Sequence, residues 1–262
     1  MVTSAEIREH YDSLAFIYRT FWGDHLHHGL FEAGDGAPAV AQARLLEYCV
    51  GLLGDCTGLR VLDVGCGHGG SMLYLARNHR CRCSGITLSP KQAKIAGDLA
   101  EKAGVSVDLR VADAGQFVFP ESQFDLVWAM ESTEHFLDKA RFFENVARTL
   151  RPGGQHLLAA WTGSMESARV REVARRFLCP ELWSAEQYRS ALEGAGMKVT
   201  HCEDLTSGVV HTWEICQQRA EAVLLAVKLL PHAAREFVEG IPVILDAYRS
   251  GELRYTVMTA RK

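Results

Sequence analysis

The 262-residue sequence lacks any run of the roughly 18 to 20 apolar residues that a membrane-spanning helix needs. Its charged N-terminus, MVTSAEIREHYDS, also lacks the apolar core of a secretory signal, which predicts a cytoplasmic protein without stable membrane insertion. The formal net charge of −4 gives no reason to expect a nucleic-acid partner. Composition is otherwise that of an ordinary globular protein, with 48% hydrophobic residues.

Cysteine pairs at metal-binding spacing are absent as well, because none of the eight cysteines forms a CxxC motif. In a chain without a secretory signal, scattered cysteines favour reduced thiols over a disulfide framework or a zinc site. Three histidines, His25, His27 and His28, lie together in WGDHLHHGLFE, but no HxxxH helix or cysteine pair accompanies them. We therefore expect no metal site.

Short apolar runs alternate with helical stretches between residues 58 and 161. Strands are predicted at 58–65, 81–87, 105–113, 124–130 and 155–161, and helices at 69–79, 90–104 and 138–154. Repeated strand, helix and strand segments of this kind predict an α/β fold with a parallel sheet and right-handed crossovers.

The regular alternation of strands and helices ends after Trp161. Residues 163–183 are predicted to be irregular or short-helical, followed by a capped helix at 184–196, a sixth strand at 197–205, a mostly helical stretch at 209–249 and a last strand at 252–262. We predict a helical cap at 1–57, a core at 58–205, a second cap at 206–250, and a final core strand at 251–262.

The segment VLDVGCGHGG, residues 61–70, follows a predicted strand and precedes a helix. Its glycines Gly65, Gly67 and Gly70 form GxGxxG, which lets the backbone approach a nucleotide-type ligand closely. A dinucleotide site expects an acidic residue at the end of the second strand, where this chain has Thr87. The carboxylate of Asp63 would oppose a pyrophosphate and suit an ammonium and a sulfonium, which favours S-adenosylmethionine over NAD.

VLDVGCGHGG resembles motif I of the class I S-adenosylmethionine-dependent methyltransferases, and GITLSPKQ, ADAGQF, FDLVWAMESTEHFLD and LRPGG follow in the order of that family. WGDHLHHG, ESTEHF and SGELRYTVMTARK resemble the γ-tocopherol methyltransferase group of small-molecule methyltransferases. The resemblance implies a Rossmann-like, doubly wound sheet of seven strands, mostly parallel with an antiparallel last strand, plus a helical cap. It also implies S-adenosylmethionine as cofactor and S-adenosylhomocysteine as product.

The resemblance further implies which residues contact the cofactor. They are Asp63, Gly65, Cys66 and Gly67 at the methionine and ribose end, Thr87, Leu88 and Gln92 at the ribose, Asp113 and Ala114 at the adenine, and Trp128, Met130 and Glu131 near the sulfonium. Some have simpler alternatives: Asp113 could cap a turn, and Trp128 could only pack in the core.

Methyl transfer from a sulfonium is an in-line displacement, so the protein mainly has to align the acceptor and exclude water. If the acceptor must lose a proton, His135 after the fourth strand is the candidate base. Tyr11 and Tyr18 lie in the N-terminal helical region, where family members place a tyrosine a few residues before an FG or WG pair. This tyrosine closes over the cofactor and can pair with the histidine; Tyr18 matches the spacing, although it could also be only an aromatic residue of an amphipathic helix. The resemblance thus implies His135 and Tyr18 as catalytic residues.

The methyl acceptor is the least determined part of the prediction. We expect a small molecule of secondary metabolism, methylated on C, N or O by a monomer or a homodimer, in an apolar pocket with six candidate residues: Trp161, Trp183, His211, Trp213, Phe237 and Met258. The three clustered histidines are predicted cap residues. Two alternatives stay open: a phospholipid- or fatty-acyl-modifying relative, and a module that binds S-adenosylmethionine without catalysis.

Overall fold

The computed structural model describes residues 2–23, 25–32, 37–222 and 232–262. The strands are β1 (Arg60–Val64), β2 (Arg82–Thr87), β3 (Asp108–Val111), β4 (Phe124–Met130), β5 (Leu150–Gly163), β6 (Lys198–Asp204) and β7 (Leu253–Arg261). The helices are α1 (Ser4–Trp22), α2 (Pro38–Leu53), α3 (Gly70–His79), α4 (Pro90–Lys102), α5 (Lys139–Thr149), α6 (Ala168–Arg176), α7 (Ala185–Gly194), α8 (Thr206–Val209), α9 (His211–Ala222) and α10 (His232–Arg249).

The seven strands form one sheet in the order β3-β2-β1-β4-β5-β7-β6. Neighbouring strands run parallel from β3 to β5, whereas β7 runs antiparallel to both β5 and β6. The predicted α/β fold with an antiparallel last strand is therefore confirmed. Strand order reverses between β1 and β4, and ligands of doubly wound sheets bind beyond the carboxyl ends of the strands at such a point.

Central strands are mostly apolar because helices cover both faces of the sheet. All seven residues of β4 are buried. On one face Leu45 of α2 and Ile244 of α10 belong to the same core as Met72 of α3. On the other face Phe142 and Tyr188 join α5 and α7 to the sheet.

Several element bounds differ from the sequence prediction. The third strand covers only Asp108–Val111, and the helix predicted over 138–154 ends at Thr149. There β5 begins, because Leu150 pairs with Phe124 of β4. Residues 163–183, predicted to be irregular or short-helical, contain the helix α6, whose first turn is capped when Ser167 Oγ accepts from Val170 N at 3.2 Å. The predicted helical stretch at 209–249 is present as α9 and α10, and residues 223–231 lie outside the described part.

The N-terminal helix α1 lies across the carboxyl end of the sheet and is held at the start of α4. Asp12 of α1 accepts hydrogen bonds from the Ser89 hydroxyl and, at 3.3 Å, from the Lys91 backbone N–H. At its other end Tyr18 packs edge-on against Phe237 of α10, with ring centroids 5.1 Å apart. These contacts place α1 and α10 over the strand ends. None of the described helices has the length and apolarity to cross a membrane.

Candidate active site

A cavity lies beyond the carboxyl ends of β1, β2 and β4, underneath α1 and α10. Its wall includes both residues predicted to be catalytic, Tyr18 and His135. It also includes eleven of the twelve residues predicted to contact the cofactor: Asp63, Gly65, Cys66, Gly67, Thr87, Leu88, Gln92, Asp113, Ala114, Met130 and Glu131. The tertiary structure therefore brings together residues that are spread over more than 100 positions of sequence.

Trp128 is the twelfth predicted residue, and the structure places it elsewhere. Its side chain is fully buried in the apolar core on the α2 and α3 face of the sheet, and it is not part of the cavity wall. Trp128 and Met130 lie two positions apart in β4 and so on the same face of the strand, but only Met130, the last residue of the strand, lines the cavity. The simpler alternative, that Trp128 packs in the core, is the one that the structure shows.

The turn after β1 brings backbone to the cavity. Gly65 and Gly67 adopt left-handed φ values of 75° and 53°, a conformation in which a Cβ is strained. A Cβ on Gly65 would also lie 2.3 Å from Cβ of Ser132. The turn is held by Ile86 O of β2, which accepts from Gly65 N at 2.8 Å and Cys66 N at 3.0 Å.

Asp63 supplies a buried carboxylate at the floor of the cavity. Its Oδ2 has no hydrogen-bond partner within the part of the chain that the structure describes. Burial raises the pKa of Asp63 to about 7. A buried carboxyl oxygen without a partner is unfavourable, and an ammonium group of a bound molecule would satisfy it. This feature fits the α-amino end of S-adenosylmethionine.

The residues predicted for the ribose and adenine contact each other or neighbouring protein groups. Thr87 Oγ1 donates to Gln92 Oε1 at 2.8 Å, so these two side chains form one polar unit. Asp113 Oδ1 accepts from Gly115 N at 2.9 Å, the turn-closing contact that was the alternative explanation for this residue. Its other oxygen accepts from Ser4 Oγ at 2.6 Å, which ties the first turn of α1 to the end of β3.

His135 lies in a single 3₁₀ turn after β4 and pairs with Tyr11. Its Nδ1 lies 3.2 Å from Leu178 O, a group that only accepts, so Nδ1 carries the proton. Nε2 therefore accepts from the Tyr11 hydroxyl, at 2.7 Å. Burial lowers the pKa of His135 to about 4, which keeps the ring neutral at neutral pH.

This pairing differs from the predicted one, in which Tyr18 was the tyrosine with the right spacing. The Tyr18 hydroxyl lies 3.0 Å from Nε2 of His10, while its ring stacks on Tyr11 with centroids 5.7 Å apart. Spacing in sequence could not separate the two tyrosines because they lie seven residues apart, close to two turns of α1, on the same helix face. His10, absent from the sequence prediction, completes the group of rings.

Glu131 and His28 form the best-connected polar pair of the site. Glu131 accepts from the backbone N–H of His28 at 2.7 Å and from Nδ1 of the same residue at 2.8 Å. It also accepts from Tyr255 Oη at 2.8 Å and Trp161 Nε1 at 3.3 Å. Burial raises the pKa of Glu131, but its interactions with His28 outweigh burial and leave the pKa below its ordinary value.

The three clustered histidines, His25, His27 and His28, differ in their hydrogen-bond partners. The Trp213 indole N–H donates to Nε2 of His28 at 2.7 Å, and Nδ1 of His28 faces Glu131. His27 Nδ1 donates to His28 O at 2.7 Å. Within the described residues, no group of three His, Cys, Asp or Glu side chains is arranged to hold a metal. All three histidines line the cavity, as does Leu26 between them.

Residues 25–32 form a lid segment over the glycine turn. Gln42 Nε2 of α2 donates to His25 O at 2.9 Å and His27 O at 3.1 Å. A Cβ on Gly67 would meet Cδ1 of Leu26 at 3.3 Å, so the lid segment lies directly against the turn after β1. The lid segment is therefore held from two sides, by α2 and by Glu131.

Half of the predicted acceptor pocket lies at the cavity. Trp161, Trp213 and Phe237 line it, and their rings meet edge-on or tilted together with Phe177. The other three predicted residues lie outside its wall: Trp183 packs on Phe143 and Tyr188, His211 pairs with Glu214, and Met258 is buried in the sheet core. Aromatic residues were predicted from type alone, and type does not determine the face on which they lie.

Phe177 and Glu134 are among the cavity residues that were not predicted. Phe177 directly follows the basic helix α6 and lies outside the sequence motifs of the family. Glu134 lies inside ESTEHF, the motif used for the resemblance, but neither its spacing nor its type distinguished it from Glu131.

Comparison with known proteins agrees with this site. The model of a family described as a methyltransferase domain matches residues 62–158. The tocopherol O-methyltransferase of Arabidopsis thaliana chloroplasts is 31% identical over 284 residues, covering 98% of this chain and 81% of that protein. The 27-O-demethylrifamycin SV methyltransferase of Amycolatopsis mediterranei is 33% identical, covering 99% and 98%. Among solved structures, the [4+2]-cyclase SpnF superposes with a TM-score of 0.85 at 26% identity, covering 99% and 97%.

Proposed function

Because this chain belongs to the S-adenosylmethionine-dependent methyltransferases, we propose that its methyl acceptor is a hydrophobic or aromatic small molecule bound beneath α1 and α10. The observation that carries the proposal is that one cavity contains both the buried, unpartnered carboxyl oxygen of Asp63 and a wall of four aromatic side chains. The first suits the amino-acid end of the cofactor, and the second suits an apolar acceptor.

In this proposal Asp63 holds the ammonium group, and the backbone at Gly65, Cys66 and Gly67 lies along the methionine and ribose portion. Thr87, Leu88 and Gln92 serve the ribose, whereas Asp113 and Ala114 serve the adenine. Met130 and Glu131 end β4 beside the sulfonium position. S-adenosylmethionine supplies an activated methyl group on a good, neutral leaving group.

The remaining work of the chain is alignment, exclusion of water and removal of a proton. The lid segment and α1 cover the cavity, and Leu26 closes it over Gly67. An acceptor O–H or N–H can lose its proton to the Tyr11 oxygen while the Tyr11 hydroxyl proton passes to Nε2 of His135, whose lone pair faces that hydroxyl. The neutral state of His135 makes this nitrogen available as a base at neutral pH.

The proposal also covers the class of acceptor, the roles of the chain segments, the location of the protein and its assembly state. A phenol, a quinol or another secondary metabolite is the acceptor class that the names of the relatives support. Residues 1–57 and 206–250 act as the cap of a core formed by 58–205 and 251–262. The protein acts in the cytoplasm as a monomer or a homodimer, without a nucleic-acid partner.

Two measurements test the proposal. Calorimetry with S-adenosylhomocysteine should show binding, and incubation with methyl-labelled S-adenosylmethionine and a solvent extract of the producing cells should yield a labelled small molecule by mass spectrometry. Cofactor binding without any labelled product would favour a second function, since the related SpnF is a [4+2]-cyclase. Absence of cofactor binding would contradict the proposal itself.

A further inference from the structure

Glu134 lies in the cavity wall and precedes the proposed base, His135, in sequence. Only one of its two carboxyl oxygens has a role in the fold, and the proposed proton transfer involves neither. Its side chain is 2% exposed. One oxygen, Oε1, accepts from the Trp161 backbone N–H at 2.7 Å and so helps to hold β5. The other oxygen, Oε2, is buried and has no hydrogen-bond partner among the residues described.

The nearby charged and hydroxyl groups are directed to other atoms. Lys139, whose positive charge acts on Glu134, uses Nζ to donate to Phe136 O at 3.1 Å and to Glu181 O at 2.8 Å. The hydroxyl of Thr133 lies 3.0 Å from Tyr188 Oη. Burial raises the pKa of Glu134 to about 8, as expected for a carboxyl group without a paired cation.

The structural role of Glu134 explains only one oxygen. A glutamine would keep an oxygen for the Trp161 N–H without burying an ionisable group. A carboxyl group with one free oxygen at a ligand cavity is explained if a ligand supplies the missing partner. The residues proposed to bind the cofactor lie around Asp63. Glu134 instead accepts from the backbone N–H of Trp161, whose indole ring belongs to the aromatic wall. We therefore assign Glu134 to the part of the cavity that would hold the methyl acceptor.

The charge of the surrounding wall restricts what the partner can be. Among the described residues that line the cavity there is no lysine or arginine, and Asp63, Glu131 and Glu134 are acidic. The ring of His135 beside Glu134 is neutral. A phosphate or carboxylate would face these carboxyl groups without a counter-charge, at a large desolvation cost.

We propose that Glu134 binds the methyl acceptor through Oε2, and that it selects acceptors that present a hydroxyl or amino group and carry no phosphate or carboxylate. The hydroxyl or amino group of the acceptor donates to Oε2, and this hydrogen bond favours the carboxylate form of Glu134. This inference rests on the proposed methyl-transfer function and adds a residue and a chemical class to it.

The test uses the full-length protein, methyl-labelled S-adenosylmethionine, and a solvent extract of the producing cells divided by anion exchange into a retained, anionic fraction and an unretained fraction. The variants are Glu134→Gln, which keeps an oxygen for the Trp161 N–H, and Glu134→Leu. Glu144→Gln and Glu144→Leu, at an exposed glutamate of α5, are the matched controls. Calorimetry with S-adenosylhomocysteine shows for each variant whether the cofactor site is folded.

We expect label only in products from the unretained fraction. We expect the KM for that acceptor to rise about ten- to a hundredfold in Glu134→Gln, and further in Glu134→Leu, because a hydrogen bond to an ionisable group is lost. The affinity for S-adenosylhomocysteine should stay within about twofold in Glu134→Gln, and both Glu144 variants should behave like the unaltered protein.

Label confined to the anionic fraction would overturn the inference while leaving the methyl-transfer function intact. An unchanged acceptor KM in Glu134→Gln would overturn it as well. If Glu134→Leu loses cofactor binding through misfolding, the Glu134→Gln result decides alone. An unaltered protein that binds S-adenosylhomocysteine but labels nothing in either fraction contradicts the proposed function, and this inference falls with it.

Discussion

The Tyr11 hydroxyl lies 2.7 Å from Nε2 of His135, across 124 positions of sequence. This contact joins the helix that covers the cavity to the turn that follows the central strand β4. The same hydrogen bond therefore links the cap to the proposed base. A second such link, between His28 and Glu131, holds the lid segment.

Tyr11→Phe removes the hydroxyl group while keeping the ring. We expect kcat for methyl transfer to fall about tenfold or more, because His135 loses the partner that aligns its Nε2 and general-base contributions are typically 10²- to 10⁴-fold. Affinity for S-adenosylhomocysteine should change little. Tyr74→Phe, at a half-buried position on α3, is the control. Equal kcat values in Tyr11→Phe and the unaltered protein would exclude a role for this hydroxyl in catalysis.

The raised pKa of Asp63 leads us to expect that cofactor affinity depends on pH. Its pKa of about 7 in the empty site means that the carboxyl group is largely protonated at pH 6, whereas a bound ammonium favours the carboxylate. Binding should therefore release a proton, and affinity for S-adenosylhomocysteine should fall as pH drops from 7 to 5, by at most about tenfold per pH unit. Calorimetry in buffers of different ionisation enthalpy measures both quantities.

The matched variants for this prediction are Asp63→Asn and Asp55→Asn, the latter at an exposed position before β1. Asp63→Asn should bind more weakly at pH 7 and lose the dependence on pH between 5 and 7. Asp55→Asn should keep both the affinity and its pH dependence. Proton release that persists in Asp63→Asn would assign the titration to another group.

Glu131→Gln should loosen the lid segment. Glu131 accepts hydrogen bonds from four donors, and an amide nitrogen in place of one oxygen leaves at least one buried donor without an acceptor. Such a loss costs about 1 to 3 kcal/mol. We expect faster hydrogen exchange at the backbone N–H of His28 and weaker binding of S-adenosylhomocysteine. Glu47→Gln, at an exposed position on α2, should alter neither measurement, and unchanged exchange at His28 would show that Glu131 does not hold the lid segment.

Gly65→Ala and Gly58→Ala separate backbone strain from steric contact. Both glycines have positive φ, 75° and 72°, but a Cβ on Gly58 meets no atom within 4 Å, whereas a Cβ on Gly65 meets Ser132 at 2.3 Å. Gly58→Ala should lose about 1 to 2 kcal/mol of unfolding free energy through strain. Gly65→Ala should lose about 1 to 3 kcal/mol more through overpacking. Urea unfolding measures both losses, and equal values would contradict the contact with Ser132.

Much of the fold could be predicted because its signals are local. Apolar runs such as RVLDV in β1 and FDLVWAM in β4 are typical of strands that are buried on both faces, and proline and glycine mark many helix ends. The bounds of β3 and α5 were less well predicted. There, pairing with a neighbouring strand decided where each element began or ended.

Site residues could be predicted where a sequence motif implies a particular backbone conformation. Residues outside such a motif were harder to predict. The glycine turn and Asp63 follow directly from VLDVGCGHGG, and the structure places them together at the cavity. Residue type does not tell how far along β4 a side chain lies from the cavity: Met130 at the strand end lines the wall, whereas Trp128, two residues earlier, is buried in the core. Glu134 was missed because its unpaired oxygen exists only once Trp161 has taken the other one.

By itself, then, the sequence determined the order of strands and helices, the ligand-binding turn and the family, since periodicity, glycine placement and motif order are properties of neighbouring residues. Only the tertiary structure decided that Tyr11 rather than Tyr18 meets His135, that His28 rather than His25 or His27 pairs with Glu131, and that one oxygen of Glu134 has no partner among the described residues. Each of these facts depends on contacts between segments distant in sequence, whose distances and hydrogen-bond directions are set by packing of the whole chain.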